Sequence, residues 1–143
     1  NASSAVITAN YGTVTENASG GTVTTNGSAS TLTTNNGTVT SNLGTITTNA
    51  SGAVTSNAGT ITTNASGGVV TTNNSGGVVT TNASGGSVVN NGGTVTTNNG
   101  NVRLTGVITG GSGTISATAT TNLASHTAGT NVTLPSGGGL VWW

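Results

Sequence analysis

Glu16, Arg103 and His126 make up the whole charged or near-neutral-titrating complement of side chains in this sequence, one residue of each kind. Glycoside hydrolysis needs two carboxylates, and general acid–base chemistry of other kinds needs a proton partner within reach. A nucleophilic triad needs a base oriented by an acid. One His without Cys or clustered acids makes a poor metal site. None of these sets can be assembled. The Gly-rich strings Ser66-Gly67-Gly68 and Ser84-Gly85-Gly86 lack the Lys and the following helix of a phosphate loop. Glu16 therefore reads as a solvated corner residue and Arg103 as an exposed charge near the end of the repeats. No catalytic residue, metal ligand or cofactor is assigned, and enzymatic activity is not expected.

The same scarcity of charge restricts partners. Binding to nucleic acid rests on Lys and Arg neutralising phosphates, and anionic membrane surfaces attract the same residues; one Arg serves neither. No apolar run approaches the roughly 18 residues of a membrane helix. Cysteine is absent, so there is no disulfide frame and no thiolate site. Repeats of Asn, Thr, Ser and Gly point to a location outside the cell. A start at Asn1 rather than Met is read as a processed or truncated product.

The elements that must position everything else are repeats. From Thr38 to Asn82 the chain runs TVTSNLG, TITTNASG, AVTSNAG, TITTNASGG, VVTTNNSGG, VVTTN. Taking the aliphatic residue of each unit as its anchor gives Ile7, Val14, Val23, Leu32, Val39, Ile46, Val54, Ile61, Val70, Val79, Val88, Val95 and Val102, then Ile108 and Ile115 less cleanly. Five-residue strands joined by corners of two to four residues reproduce all but one of the spacings. Val, Ile and Thr are stiff at χ1 and favour the pleated state, while Gly recurs too often for a helix to propagate. Alternation with period two puts Val39 on one side and Thr38 and Thr40 on the other. Asn42, Asn49, Asn57 and Asn64 close their strands, where Asn can take the left-handed conformation and bond its own backbone. The following Gly supplies positive φ.

Strands this short do not make stable hairpins. Only 31% of the chain is of hydrophobic type, and its aromatics are Tyr11, Trp142 and Trp143, so a conventional globular core is out of reach. Winding the strands into a parallel β-solenoid solves both problems. Equivalent strands pair one coil above and below, anchors stack inside, and Thr and Asn stack on their own kind. The spacing fits a two-sided coil, a three-sided coil or three chains wound together as a homotrimer. Residues 1–118 form the expected solenoid, and 119–143 a C-terminal cap or docking tail.

Two surface features stand out. The first is an outward Thr-x-Thr pair. Under two-sided winding, Thr13/Thr15, Thr31/Thr33, Thr45/Thr47, Thr60/Thr62 and Thr94/Thr96 share one face, with Val78 interrupting. The opposite face keeps only Thr22/Thr24 and Thr38/Thr40. The second is Leu140, Val141, Trp142 and Trp143 beyond a Gly137-Gly138-Gly139 hinge, an apolar end that either folds back as a cap or docks on a neighbouring subunit. Nine Asn-x-Ser/Thr sequons also occur, at Asn1, Asn17, Asn26, Asn36, Asn49, Asn64, Asn73, Asn82 and Asn131. They matter only where the host glycosylates secreted proteins.

The charge-poor Asn/Thr/Gly/Val pattern from Val6 to Ile115 resembles β-solenoid segments of bacteriophage and virion-surface fibres. It is also similar to passenger repeats of bacterial autotransporters and filamentous adhesins. The resemblance implies a non-enzymatic structural protein that assembles with itself, as a homotrimer or head-to-tail multimer, and with other virion or surface proteins. The Thr-x-Thr face resembles the ice-binding face of β-solenoid antifreeze proteins, the grass members among them, and implies ice binding as the alternative. An adhesin that binds carbohydrate is the third expectation, weakened because the solenoid's only aromatic is Tyr11.

Overall fold

The structure, a computed structural model, describes residues 1–104, 107–108 and 114–116, with side chains through residue 100. Its strands follow one another with only corners between them: β1 (Val6–Asn10), β2 (Thr13–Asn17), β3 (Thr22–Asn26), β4 (Thr31–Asn35), β5 (Thr38–Asn42) and β6 (Thr45–Asn49). The series continues with β7 (Ala53–Asn57), β8 (Thr60–Asn64), β9 (Val69–Asn73), β10 (Val78–Asn82), β11 (Ser87–Asn91) and β12 (Thr94–Asn98). Three shorter strands follow: β13 (Asn101–Leu104), β14 (Val107–Ile108) and β15 (Thr114–Ser116). No helix interrupts them among the described residues.

Odd-numbered strands form one parallel sheet of 8 strands and even-numbered strands a second of 7. Each strand pairs with the next of its own parity, as Val39 with Val54 and Ile46 with Ile61. The chain is thus a β-solenoid, and of the windings that the spacing allows it takes the two-sided one. Two strands of one chain close each coil. β1 to β12 are all five residues long and all end on Asn, as the repeat predicts.

The core is thin because two sheets face each other across one layer of side chains. Val23, Val39, Val54, Val70 and Val88 stack from the odd sheet against Leu32, Ile46, Ile61, Val79 and Val95 from the even sheet, all essentially without exposure. Ile7 and Val14 are only partly buried, being in the first coil.

The terminal Asn of each strand departs from the simple pattern. Strict alternation would send the first, third and fifth residues outward together. Instead the second and fifth are buried in every strand from β3 to β12, and the fourth is half-buried. The strand begins to turn the narrow edge after its third residue, and this brings the Asn side chain inside the corner. No described Asn takes a left-handed conformation; the only non-Gly residue there is Ser4. The left-handed conformation that Asn can tolerate is therefore not used, and the positive φ expected of the following Gly is absent after Asn42, Asn49 and Asn57, at Gly44, Gly52 and Gly59. Positive φ in the corners between strands falls on Gly in four of the five four-residue corners, at Gly20, Gly67, Gly76 and Gly85.

The buried asparagines form two columns, one along each narrow edge. At the end of the odd sheet, Asn10, Asn26, Asn42, Asn57, Asn73 and Asn91 are linked by side-chain bonds of 2.7–2.8 Å. At the end of the even sheet, Asn1 opens a column that continues through Asn17, Asn35, Asn49, Asn64, Asn82 and Asn98 at the same distances. In every link Nδ2 donates to the Oδ1 of the following coil. The second N–H hydrogen goes to backbone carbonyls, as from Asn64 to Gly68 and Ser87. An unpaired buried amide would cost about 1–3 kcal/mol. Here no buried side-chain nitrogen or oxygen among the described residues lacks a partner.

Candidate functional site

Among the described residues no group of three or more His, Cys, Asp or Glu comes together. Glu16 is exposed, as expected, but it sits at the fourth position of β2 and not in the corner, and its Oε1 accepts a 3.2 Å bond from Asn36 Nδ2. Arg103 belongs to β13, whose side chains fall outside the described set. His126 and the expected docking residues Leu140, Val141, Trp142 and Trp143 lie outside the described residues altogether, as does the boundary expected near residue 118.

What the fold does assemble is an array of hydroxyls and methyls on the even sheet. The register sets Thr13 beside Thr31, Thr31 beside Thr45 and Thr45 beside Thr60. Val78 then takes the next rung, Thr94 the one after it, and Val107 of β14 follows Thr94. The third position of the same strands reads Thr15, Thr33, Thr47, Thr62, Thr80 and Thr96, without interruption. Rungs repeat at a strand spacing of about 4.8 Å, and the two members of each pair lie about 6.6 Å apart along the strand. All ten threonines singled out by their spacing fall on this sheet.

The odd sheet is less regular. Its first column runs Val6, Thr22, Thr38, Ala53, Val69 and Ser87, while its third keeps Thr at five positions before Val89. The two faces therefore differ in the first column, and again at the fourth position, where the odd sheet reads Ala9, Thr25, Ser41, Ser56, Thr72 and Asn90. Thr is favoured on any strand surface because its branched side chain packs on the pleat. The first column of the even sheet goes beyond that preference, since the odd sheet meets the same strand geometry with Val, Ala and Ser.

Reading by alternation misses a third column. Thr34, Thr48, Thr63, Thr81 and Thr97 follow Glu16 at the fourth position of the even strands and are half-buried, at the edge where the strand turns. Alternation places position four inside; only the early bend brings it out. The signal was present in the TVTTN unit, where a second Thr follows the first directly. The array is thus three threonines wide on most rungs, with Glu16 its one carboxylate.

Among the residues whose side chains are described, few large apolar ones are exposed: Val6, Tyr11, Leu43 and Val89. Tyr11 is the one described aromatic; it projects from the corner after β1 with 82% of its surface accessible. No protein-family model, curated protein or solved structure matches this chain.

Proposed function

We propose that the chain is a stiff, non-enzymatic structural element of an extracellular or virion-surface fibre that assembles through copies of itself. The observation that carries this reading is the continuity of the interior along one axis. Two aliphatic rows and two asparagine columns pass from coil to coil without a break through β12. Bending such a rod strains backbone ladders, packing and side-chain bonds together. The described outer surface carries a single charged side chain, Glu16, which limits non-specific attraction to charged surfaces. A length that grows by about 4.8 Å for each coil of some 16 residues suits a spacer rather than a pocket.

Absolute mass in solution, by light scattering behind size exclusion, tests the reading. A trimer or an open-ended multimer is the expected result, and a 13.4 kDa monomer would count against self-assembly. The double substitution Trp142→Ala with Trp143→Ala is expected to shift the distribution to smaller species. Unchanged mass and unchanged melting would remove the tail from the assembly.

Ice binding is the second reading, and the observation that favours it is the first column of the even sheet, Thr on five of the six rungs from β2 to β12. An array at fixed spacing whose only charge is Glu16 at one end can order water in a way that an irregular face does not. Wild-type protein should then show thermal hysteresis and ice shaping. Thr47→Tyr with Thr62→Tyr should abolish most of both, while Thr40→Tyr on the odd sheet should leave them intact. As exposed substitutions, each should change stability by less than about 0.5 kcal/mol. No hysteresis in the wild type would end this reading. Carbohydrate binding has less support, because stacking on sugars needs exposed aromatics and the described surface offers Tyr11 alone.

A further inference from the structure

Eight of the nine sequons lie among residues whose side chains are described, and seven of these eight begin on a rung of an asparagine column. Asn1 opens one column; Asn17, Asn26, Asn49, Asn64, Asn73 and Asn82 lie within the two columns and are 0% exposed. Their coincidence has a local cause. A rung must be followed at once by a corner, and corners that begin N-A-S, N-G-S or N-N-S place an exposed Ser two residues after the rung. The sequon is a by-product of how this solenoid turns.

That by-product has a chemical consequence. In N-glycosylation, Asn Nδ2 attacks the anomeric carbon of a lipid-linked oligosaccharide. The C–N bond forms, the lipid pyrophosphate leaves, and the nitrogen gives up one of its two hydrogens. In the folded chain both hydrogens are already committed. Asn73 Nδ2 donates to Asn91 Oδ1 at 2.8 Å and to the carbonyls of Gly77 and Thr94 at 3.2 Å. Asn17 Nδ2 similarly serves Asn35 Oδ1, Gly21 and Thr38. A sugar on either nitrogen would remove a link and would have to occupy a closed interior whose rungs are about 4.8 Å apart.

We infer that N-glycosylation and folding of this chain exclude one another, so that it folds by a route that does not present it to an oligosaccharyl transferase. Among the described sequons Asn36 is the single exception. It is half-exposed in the corner after β4, its Nδ2 meeting Glu16 Oε1 and its Oδ1 accepting from Ser51 Oγ, both at 3.2 Å. It is the one described sequon position off the asparagine columns, where a glycan breaks no link between coils. The inference is independent of the fibre reading, since it concerns the interior and not what the rod does.

The test uses the full chain in two hosts. Made in the cytosol of a bacterium, wild type and a variant with Ser→Ala at 3, 19, 28, 51, 66, 75 and 84 should give the same β-sheet circular dichroism and the same protease resistance. The seven serines are exposed, and their replacement removes the rung sequons without touching a rung. Made behind a secretory leader in a glycosylating cell, the wild type should acquire glycans at rung positions, read by glycosidase-sensitive mobility and peptide mapping. It should be almost wholly lost from the medium as a folded species. The variant should be secreted folded, with Asn36 the only modified position among residues 1–100. Secretion of folded wild type, whether bare or with glycans on the rungs, would overturn the inference. So would failure of the variant to recover in that cell after folding normally in the bacterium.

Discussion

Asn57→Asp is expected to destabilise the solenoid by about 3–5 kcal/mol at pH 7, with a penalty that shrinks in acid. Asn57 accepts a 2.7 Å bond from Asn42 Nδ2 and donates at 2.7 Å to Asn73 Oδ1, with the carbonyls of Gly59 and Val78 also within reach of its Nδ2. Aspartate has the same shape and can still accept from Asn42. Its second oxygen, however, replaces a donor that faces three acceptors, in a position with no exposure. Burial and opposing oxygens disfavour the carboxylate, so the introduced carboxyl must titrate higher in the folded chain than in the unfolded one. The native state then binds more protons than the unfolded state, and stability falls as pH rises from the unfolded value of about 3.9. Below that value the neutral acid can donate one hydrogen, and the cost should drop to about 1–2 kcal/mol.

This chain is well suited to the experiment. The wild type has one acidic side chain and one His, so a difference curve between variant and wild type is nearly free of other titrations. Denaturant unfolding at pH 3 and pH 7 reads the effect. Asn57→Ala serves as the uncharged comparison, expected to lose about 2–3 kcal/mol at both pH values, from one orphaned donor, one orphaned acceptor and a small cavity. If Asn57→Asp melts like the wild type at pH 7, the columns do not hold the coils together as described.

Gly44→Ala should cost at least about 3 kcal/mol, whereas Gly12→Ala should be neutral or stabilising by up to about 1 kcal/mol. The two glycines occupy equivalent two-residue corners after β5 and β1. A Cβ on Gly44 would overlap the carbonyl oxygen of Gly27 in the preceding coil and would also press on Ser30 O and Oγ. Backbone atoms held at strand spacing cannot yield without parting the coils. A Cβ on Gly12 meets nothing within 4 Å, because no described coil lies beneath it. Neither residue has positive φ. The contrast therefore isolates close approach between coils from any demand on backbone conformation. Thermal or urea melts of the two variants decide it, and equal destabilisation would show that the corner glycines serve some other purpose.

Much of this architecture was legible locally. The five-residue strand, the corner of two to four residues and the aliphatic anchor each follow from residue types within one unit. β-branched residues prefer the pleat, and frequent Gly forbids a helix. The Thr-x-Thr pairs needed one more premise, the number of sides, and a corner of two residues is compatible with more than one winding. Which pairs share a face depends on which strands become neighbours, and that is settled between coils.

The terminal Asn shows the limit most sharply. Seen within one unit it is a polar residue next to Gly, and its local chemistry favours a turn. Its burial becomes favourable only when another Asn lies one coil away to satisfy its amide, and another beyond that. The sequence alone therefore determined the repeat, the strands and the stacking of like on like. Tertiary structure decided the two-sided winding, the inward turn of Asn, the third threonine column and the burial of the sequons. Strand propensity acts within a few residues, whereas the cost of burying a polar group is set by partners some 16 residues away.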